Sequence, residues 1–315
     1  MTFELTILGI NSALPTRNHY PAAQVLKMHE RLFLIDCGEG TQVQMLRAGV
    51  KAPRLDAIFI SHLHGDHVFG LFGLLSAMSM RGRKKELPVY APAPMEAALR
   101  DHLRYFGSDM SFQVTVHHVD TDVPALIYEN STLSVHGIPL KHRVPSTGFL
   151  FREKTPQRNV RNPLIALHHL QVEDIVALKN GSDVTLPDGT VLNGKAATYA
   201  PRVPRAYAYC SDTMFSETVI EQVRGVDLLY HEATFLSDKI ELARRSMHST
   251  VADAATVALR ANAGRLLIGH FSSHYANAEG LLQEALHIFP NTQAAEELQR
   301  YEIGKKRNRR RRRPH

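Results

Sequence analysis

The stretch ISHLHGDHVFG, Ile60–Gly70, decides how this chain is read. The apolar run LDAIFI leads into it and reads as a β-strand that ends at Ser61. His62, His64, Asp66 and His67 then fall within six residues. Neutral imidazoles and a carboxylate are what borderline divalent cations such as Zn²⁺ prefer. Without a metal, three histidines and an aspartate on one turn gain little from packing, and as cations the histidines repel one another. Ligands pointing in two directions from one turn suit two ions about 3.5–4 Å apart. Gly65 and Gly70 permit the tight backbone this needs.

Two ions need more ligands, and other strand ends supply candidates. His142 follows LSVHGIPLK, Asp212 follows AYAYCS, and His270 follows RLLIG. Each sits at the C-terminal end of an expected strand, where open sheets place their sites. The Asp212 carboxylate can bridge two cations, which an imidazole cannot. The chain has 18 histidines, so most serve packing. His29, His102, His117, His118, His136, His168, His169 and His287 are read that way.

Working outward, short apolar segments recur. FELTILGI, RLFLIDCGEG, PVYAP, QVTVHHV, STLSVHGIPL, AYAYCSDT, VDLLYHEAT and RLLIGHFSS read as strands. TQVQMLRAGV, VFGLFGLLSAMSMRG and HSTVADAATVALRANA have helical spacing, the last with a capping box from Thr250 to Asp253. Strands dominate and helices interrupt, which predicts a layered α/β domain over residues 1–303. One segment breaks the rhythm, from about Arg152 to Ala200. It holds a basic stretch, a helix candidate (LIALHHLQVEDIVALKNG) and a hairpin signal at Asp188-Gly189. It reads as an insertion projecting from the domain.

The 315 residues, 44% of them hydrophobic, suffice for a sizeable core. No stretch approaches the 18 or so apolar residues of a membrane span, and MTFELTILGI lacks signal-peptide features. Cys37 and Cys210 are the only cysteines, which excludes a disulfide framework, favours the cytoplasm and makes both buried small residues. The net charge of +6 has a local source. Residues 304–315 are expected to be a disordered basic tail, with eight cations between Lys305 and Arg313. Removing those eight leaves the rest of the chain at −2. Such a run often grips nucleic acid.

At these residues the sequence resembles the metallo-β-lactamase superfamily, through its HxHxDH motif, and within it the ribonuclease Z family. LGINSALPT, LIDCGEGTQ, ISHLHGDHVFGLFGLL, YHEATF, MHST and IGHFSSHY carry the likeness over most of the chain. The resemblance implies an αββα sandwich, a projecting arm that holds tRNA, and a homodimer. The implied activity is a zinc-dependent endoribonuclease that removes the 3′ trailer of precursor tRNA. The resemblance assigns His62, His64 and His142 to one Zn²⁺, Asp66, His67 and His270 to a second, and Asp212 to both, with Mn²⁺ or Fe²⁺ as alternatives. Three features differ from the family's pattern: HHLQVEDIV at the arm tip, the short loop PTRNHYP, and His274 where an arginine is common.

Phosphodiester hydrolysis also needs proton transfer. Asp66 is the expected orienting base, His248 the expected general acid, and Glu232 the carboxylate that orients and charges it. The arm (about Arg152 to Ala200) and the tail (Lys305 to Arg313) are the expected RNA-binding parts. A phosphodiesterase for small cyclic nucleotides would need neither, and an RNA-binding protein without catalysis would not need the complete ligand set.

Overall fold

A computed structural model describes residues 2–304, so the tail expectation, Lys305 to His315, lies outside the described residues. The first half of the chain forms β1 (Phe3–Gly9), β2 (Ala23–Met28), β3 (Arg31–Cys37), β4 (Ala57–Phe59), β5 (Leu87–Ala91) and β6 (Val114–His118). Then come β7 (Ala125–Glu129), β8 (Leu133–Pro139) and β9 (Thr147–Glu153). Four two-residue strands follow: β10 (Asn159–Val160), β11 (Val184–Thr185), β12 (Val191–Leu192) and β13 (Thr198–Tyr199). The last five are β14 (Ala206–Cys210), β15 (Leu228–Glu232), β16 (Leu266–Gly269), β17 (Thr292–Ala294) and β18 (Arg300–Glu302).

These strands make two seven-stranded sheets, ordered β18-β1-β2-β3-β4-β5-β6 and β17-β16-β15-β14-β9-β8-β7. The first sheet is antiparallel from β18 to β3 and parallel from β3 to β6. In the second, β14 to β17 run parallel. Strands covered on both faces read as continuous apolar runs, and AIF in β4 and LLIG in β16 are wholly buried. Aromatic rings join the sheets: Phe33 and Phe59 lie 5.8 and 5.2 Å from Phe151, and Phe59 lies 5.4 Å from Phe149. Each such buried ring contributes about 1.5–3 kcal/mol through area alone. Helices cover the outer faces, which completes the αββα sandwich that the resemblance implies.

The helix Gly65–Met80 matters most for the site. Val68, Leu71, Leu74, Leu75 and Met78 are its buried stripe, at helical spacing. Gly70 is required there, because a Cβ would meet the Gly38 carbonyl oxygen at 2.1 Å. This close approach pins the first helical turn, which carries Asp66 and His67, against the end of β3.

The chain divides into two compact units. One comprises 2–128, 135–151 and 206–304 among the described residues, and the other 129–134 and 152–205. The second unit has its own apolar cluster of Val160, Leu170, Leu178, Val184, Leu186 and Ala197. Its expected single helix is two, Asn162–Leu167 and Val172–Lys179. The chain turns at His169, in the left-handed region at φ 49°, and a capping box between Gln171 and Asp174 starts the second helix. Asp188-Gly189 does turn the hairpin β11–β12, with Gly189 at φ 84°.

Candidate metal centre

The loop after β4 and the helix start divide the opening motif. His62 and His64 lie on the loop, and Asp66 and His67 occupy the first helical turn. His142 follows β8, Asp212 follows β14, and His270 follows β16. All seven converge, in two groups. His62, His64, His142 and Asp212 have ligand atoms within 4.8 Å of one another, and so do Asp66, His67 and His270.

Asp212 joins the groups through its two oxygens. Oδ2 faces His62 Nε2 at 3.5 Å and His142 Nε2 at 3.7 Å. Oδ1 faces His67 Nε2 at 3.4 Å and His270 Nε2 at 3.2 Å. Asp66 Oδ2 lies 3.4 Å from His67 Nε2 and 3.6 Å from His270 Nε2, and it accepts the Ala13 amide at 2.8 Å.

Outer contacts fix the rings. His67 Nδ1–H donates to Asp36 Oδ2 at 2.8 Å, and His142 Nδ1–H to the Met247 carbonyl at 3.0 Å. His270 Nδ1 lies 3.1 Å from Thr234 Oγ1, whose own hydroxyl donates to Glu232 Oε2 at 2.7 Å. His62 Nδ1 lies 3.0 Å from Ser61 Oγ. Asp36 is itself held, accepting the Ser61 amide at 2.7 Å, the Ser61 hydroxyl at 2.8 Å and the Tyr209 hydroxyl at 2.6 Å. Four rings thus turn their second nitrogen outward to a fixed partner, which aims Nε2 at the cluster.

The donor set fits divalent cations. His67 Nε2 and His270 Nε2 are buried and have no hydrogen-bond partner among the described residues. An inward polar atom without a partner costs free energy unless a ligand takes it. Burial holds the imidazoles of His62, His64 and His142 below their usual range, so they present lone pairs at neutral pH. Burial alone would lower His67 too, but the carboxylates of Asp212, Asp66 and Asp36 outweigh it and raise it. A cluster that draws a proton this strongly has a negative potential, which cations also seek.

A second constellation borders the first. His248 Nδ1–H donates to Glu232 Oε1 at 2.9 Å, and its Nε2 lies 3.9 Å from Asp212 Oδ2. Glu232 is fully buried and also accepts the amides of Thr213, Thr234 and Ser249, at 3.1, 3.1 and 3.0 Å. His231 is buried and turns away, its Nδ1–H donating to the Glu232 carbonyl at 2.7 Å. A cavity of about 540 Å³ opens over the cluster. Asp66, His248, His270 and Asp212 line it, together with Phe69, Arg143 and His274. Asp36, Ser61, Thr234 and Arg143 were not singled out in the sequence. Cys37 and Cys210 are buried, and desolvation pushes the Cys37 thiol up to about 12.

Comparisons with known proteins agree with this geometry. The sequence pattern of a family described as "Anti-Pycsar protein Apyc1" matches residues 3–156, just under half of the chain. A curated relative from Bacteroides fragilis (strain YCH46), named ribonuclease Z, is 44% identical over 295 residues, covering 94% of this chain and 97% of the relative. The crystal structure of human tRNase Z, short form, superposes with a TM-score of 0.69 at 25% identity, covering 96% of this chain and 100% of that one. The metallo-β-lactamase fold protein YhfI from Bacillus subtilis is similar in fold, with a TM-score of 0.66 at 19% identity, covering 96% of this chain and 100% of that one.

Proposed function

The chain belongs to the ribonuclease Z family and is an endoribonuclease of tRNA 3′ processing, and we propose that it cuts with two Zn²⁺ per subunit. His62, His64 and His142 would hold one ion, Asp66, His67 and His270 the other, and Asp212 both. The observation that carries this reading is the division of labour on Asp212, with Oδ2 toward one histidine group and Oδ1 toward the other. Bound divalent cations supply Lewis acidity, which acidifies water and neutralises charge on the phosphoryl oxygens.

The chain's own groups do the rest. Asp66, steadied by the Ala13 amide, accepts a proton from the attacking water and orients it. The P–O3′ bond breaks as water adds to phosphorus, leaving the phosphate on the trailer. The departing 3′ oxygen takes a proton from His248 Nε2, whose other nitrogen is charged and fixed by Glu232. Arg143 lines the cavity and is suited to a non-bridging phosphate oxygen.

The unit containing 152–205 is read as the arm that holds tRNA away from the cut, and Lys305 to Arg313 as a further cationic contact. We read the chain as a homodimer, for which Val43 and Leu46, exposed on the helix Thr41–Arg47, offer apolar surface. None of the helices among the described residues is long and apolar enough to cross a membrane. We place the enzyme in the cytoplasm, where its precursors are made. Incubation with a precursor transcript tests the reading: the product should end in a tRNA 3′-hydroxyl, the trailer should begin with a 5′-phosphate, and chelation should abolish both. A product bearing a 3′-phosphate would overturn it.

A further inference from the structure

A second cavity, of about 510 Å³, lies far from the metal centre. It opens on the outer face of the first sheet, over β1, β2 and β3. Glu4, Lys27 and Arg31 in its lining stand at the strand ends opposite those carrying Ala13 and Asp36. Seven cationic side chains against three carboxylates leave the lining at +4, whereas the chain without its tail is at −2. The charge is therefore concentrated there.

The cations divide into two kinds. Four are framework. Arg83 is buried and donates to the carbonyls of Pro53, Leu55, Lys85 and Glu86 at 2.7–2.8 Å, which shapes the wall. Arg300 donates to the Ala48 carbonyl at 3.1 Å. Arg31 and Lys85 converge on Asp56 at 2.8 and 3.1 Å, neutralising that carboxylate. The other three, Lys27, Lys51 and Arg54, are exposed and have no ion-pair partner among the described residues. Glu4, the cross-strand partner of Lys27, and Glu30 offset part of this charge, yet the lining as a whole keeps its excess of four cations, a positive field that favours an anion. Five residues past Arg300 the chain enters the run Lys305–Arg313, with eight more cations.

We propose that this cleft is a second RNA contact, gripping phosphodiester backbone through Lys27, Lys51 and Arg54 on the end of the sheet remote from the cut. The proposal rests on the ribonuclease reading for its ligand. It assigns the cleft no part in the chemistry.

The test compares the full chain with the triple variant Lys27→Gln/Lys51→Gln/Arg54→Gln. A control, Arg100→Gln/Arg224→Gln/Lys239→Gln, removes equal charge elsewhere. Precursor tRNA binding is measured across a salt series, and turnover of bis(p-nitrophenyl) phosphate reports the metal centre. The expected result is a log–log salt slope shallower by roughly 2–3, at about 0.7–0.9 per lost phosphate contact. The control should shift less, and small-ester turnover should be the same in all three proteins. Equal slopes in variant and control would overturn the proposal. So would protection of the wild type by pyrophosphate or a mononucleotide, lost in the variant while the RNA slope stays put, since the ligand would then be a free phosphate compound. Failure of the wild type itself to bind precursor tRNA would instead reject the ribonuclease reading.

Discussion

Glu232 Oε1 and His248 Nδ1 stand 2.9 Å apart, and this pair sets the state of an imidazole whose Nε2 lies 3.9 Å from Asp212 Oδ2 and which lines the cavity over the cluster. Burial alone would lower the His248 imidazole. The charge of Glu232 and the hydrogen bond to it outweigh burial, and His248 is raised to about 9. A raised value favours the protonated form that the proposed general acid needs.

His248→Ala should keep its full metal content and lose roughly 10²–10⁴ in rate on precursor tRNA, the usual worth of general acid–base catalysis. An ester with a nitrophenolate leaving group needs no proton and should be nearly unaffected. Single-turnover rates on both substrates, with metal analysis, check this. An equal slowing of both would reduce His248 to a positioning role.

The pH dependence follows in sign. The acid form is lost as pH rises through the His248 pKa, so activity should fall on the alkaline side with a limb at or below about 9, bound cations acting only to lower it. Glu232→Gln removes the raising charge and should shift that limb down by roughly 1–3 pH units. It also sets an amide among donors from Thr213, Thr234 and Ser249, at an expected cost of about 1–3 kcal/mol in stability. A kcat profile and a denaturant melt separate the two effects.

Asp212→Ala should lower bound metal below one equivalent per chain as well as abolish cleavage, because both histidine groups lose the oxygen that faces them. Elemental analysis decides; two full equivalents in the variant would refute the bridging role.

Replacing residues 154–204 with a short glycine-serine link should spare the chemistry. The Glu153 amide donates to the Arg205 carbonyl at 2.9 Å, so the ends to be joined are already adjacent. None of the seven clustered ligands lies in the excised span. Nitrophenyl phosphodiester turnover should persist while precursor tRNA affinity falls at least tenfold; parallel loss of both would mean that the unit supports the core.

Removing Lys305–His315 should flatten the salt dependence of RNA binding, by roughly 0.7–0.9 in log–log slope for each phosphate contact the eight cations make. Binding isotherms at several salt concentrations read this directly, and an unchanged slope would mark the tail as a spectator.

The cluster at Ile60–Gly70 was legible because metal chemistry admits few residue types, and four of them in six residues have no packing explanation. His142, Asp212 and His270 were legible as strand ends, since apolar runs are easily located. The supports were not. Asp36 is on β3, Ser61 follows β4 and Tyr209 is on β14 of the other sheet, so only the β3–β4 pairing together with the packing of one sheet on the other brings them together around His67 and His62. The Met247 carbonyl that receives His142 leaves no mark in a sequence, because any residue has one. The break at His169 was missed for a related reason. Helical periodicity runs through LIALHHLQVEDIVALKNG on both sides, and a single left-handed residue resets it without altering composition.

The ligands are scattered along the chain, from the loop after β4 to the end of β16, and this bears on when the enzyme becomes active during its own synthesis. A nascent chain that has emerged only through β9 presents His62, His64, Asp66, His67 and His142, but neither Asp212 nor His270. It lacks the carboxylate that faces both groups and the last histidine of the second. Because domains fold largely as units as they leave the ribosome, cleaving power should arrive late and abruptly, after β16 docks. Chains broken off earlier would lack the complete cluster of donors from both histidine groups and should not cleave RNA.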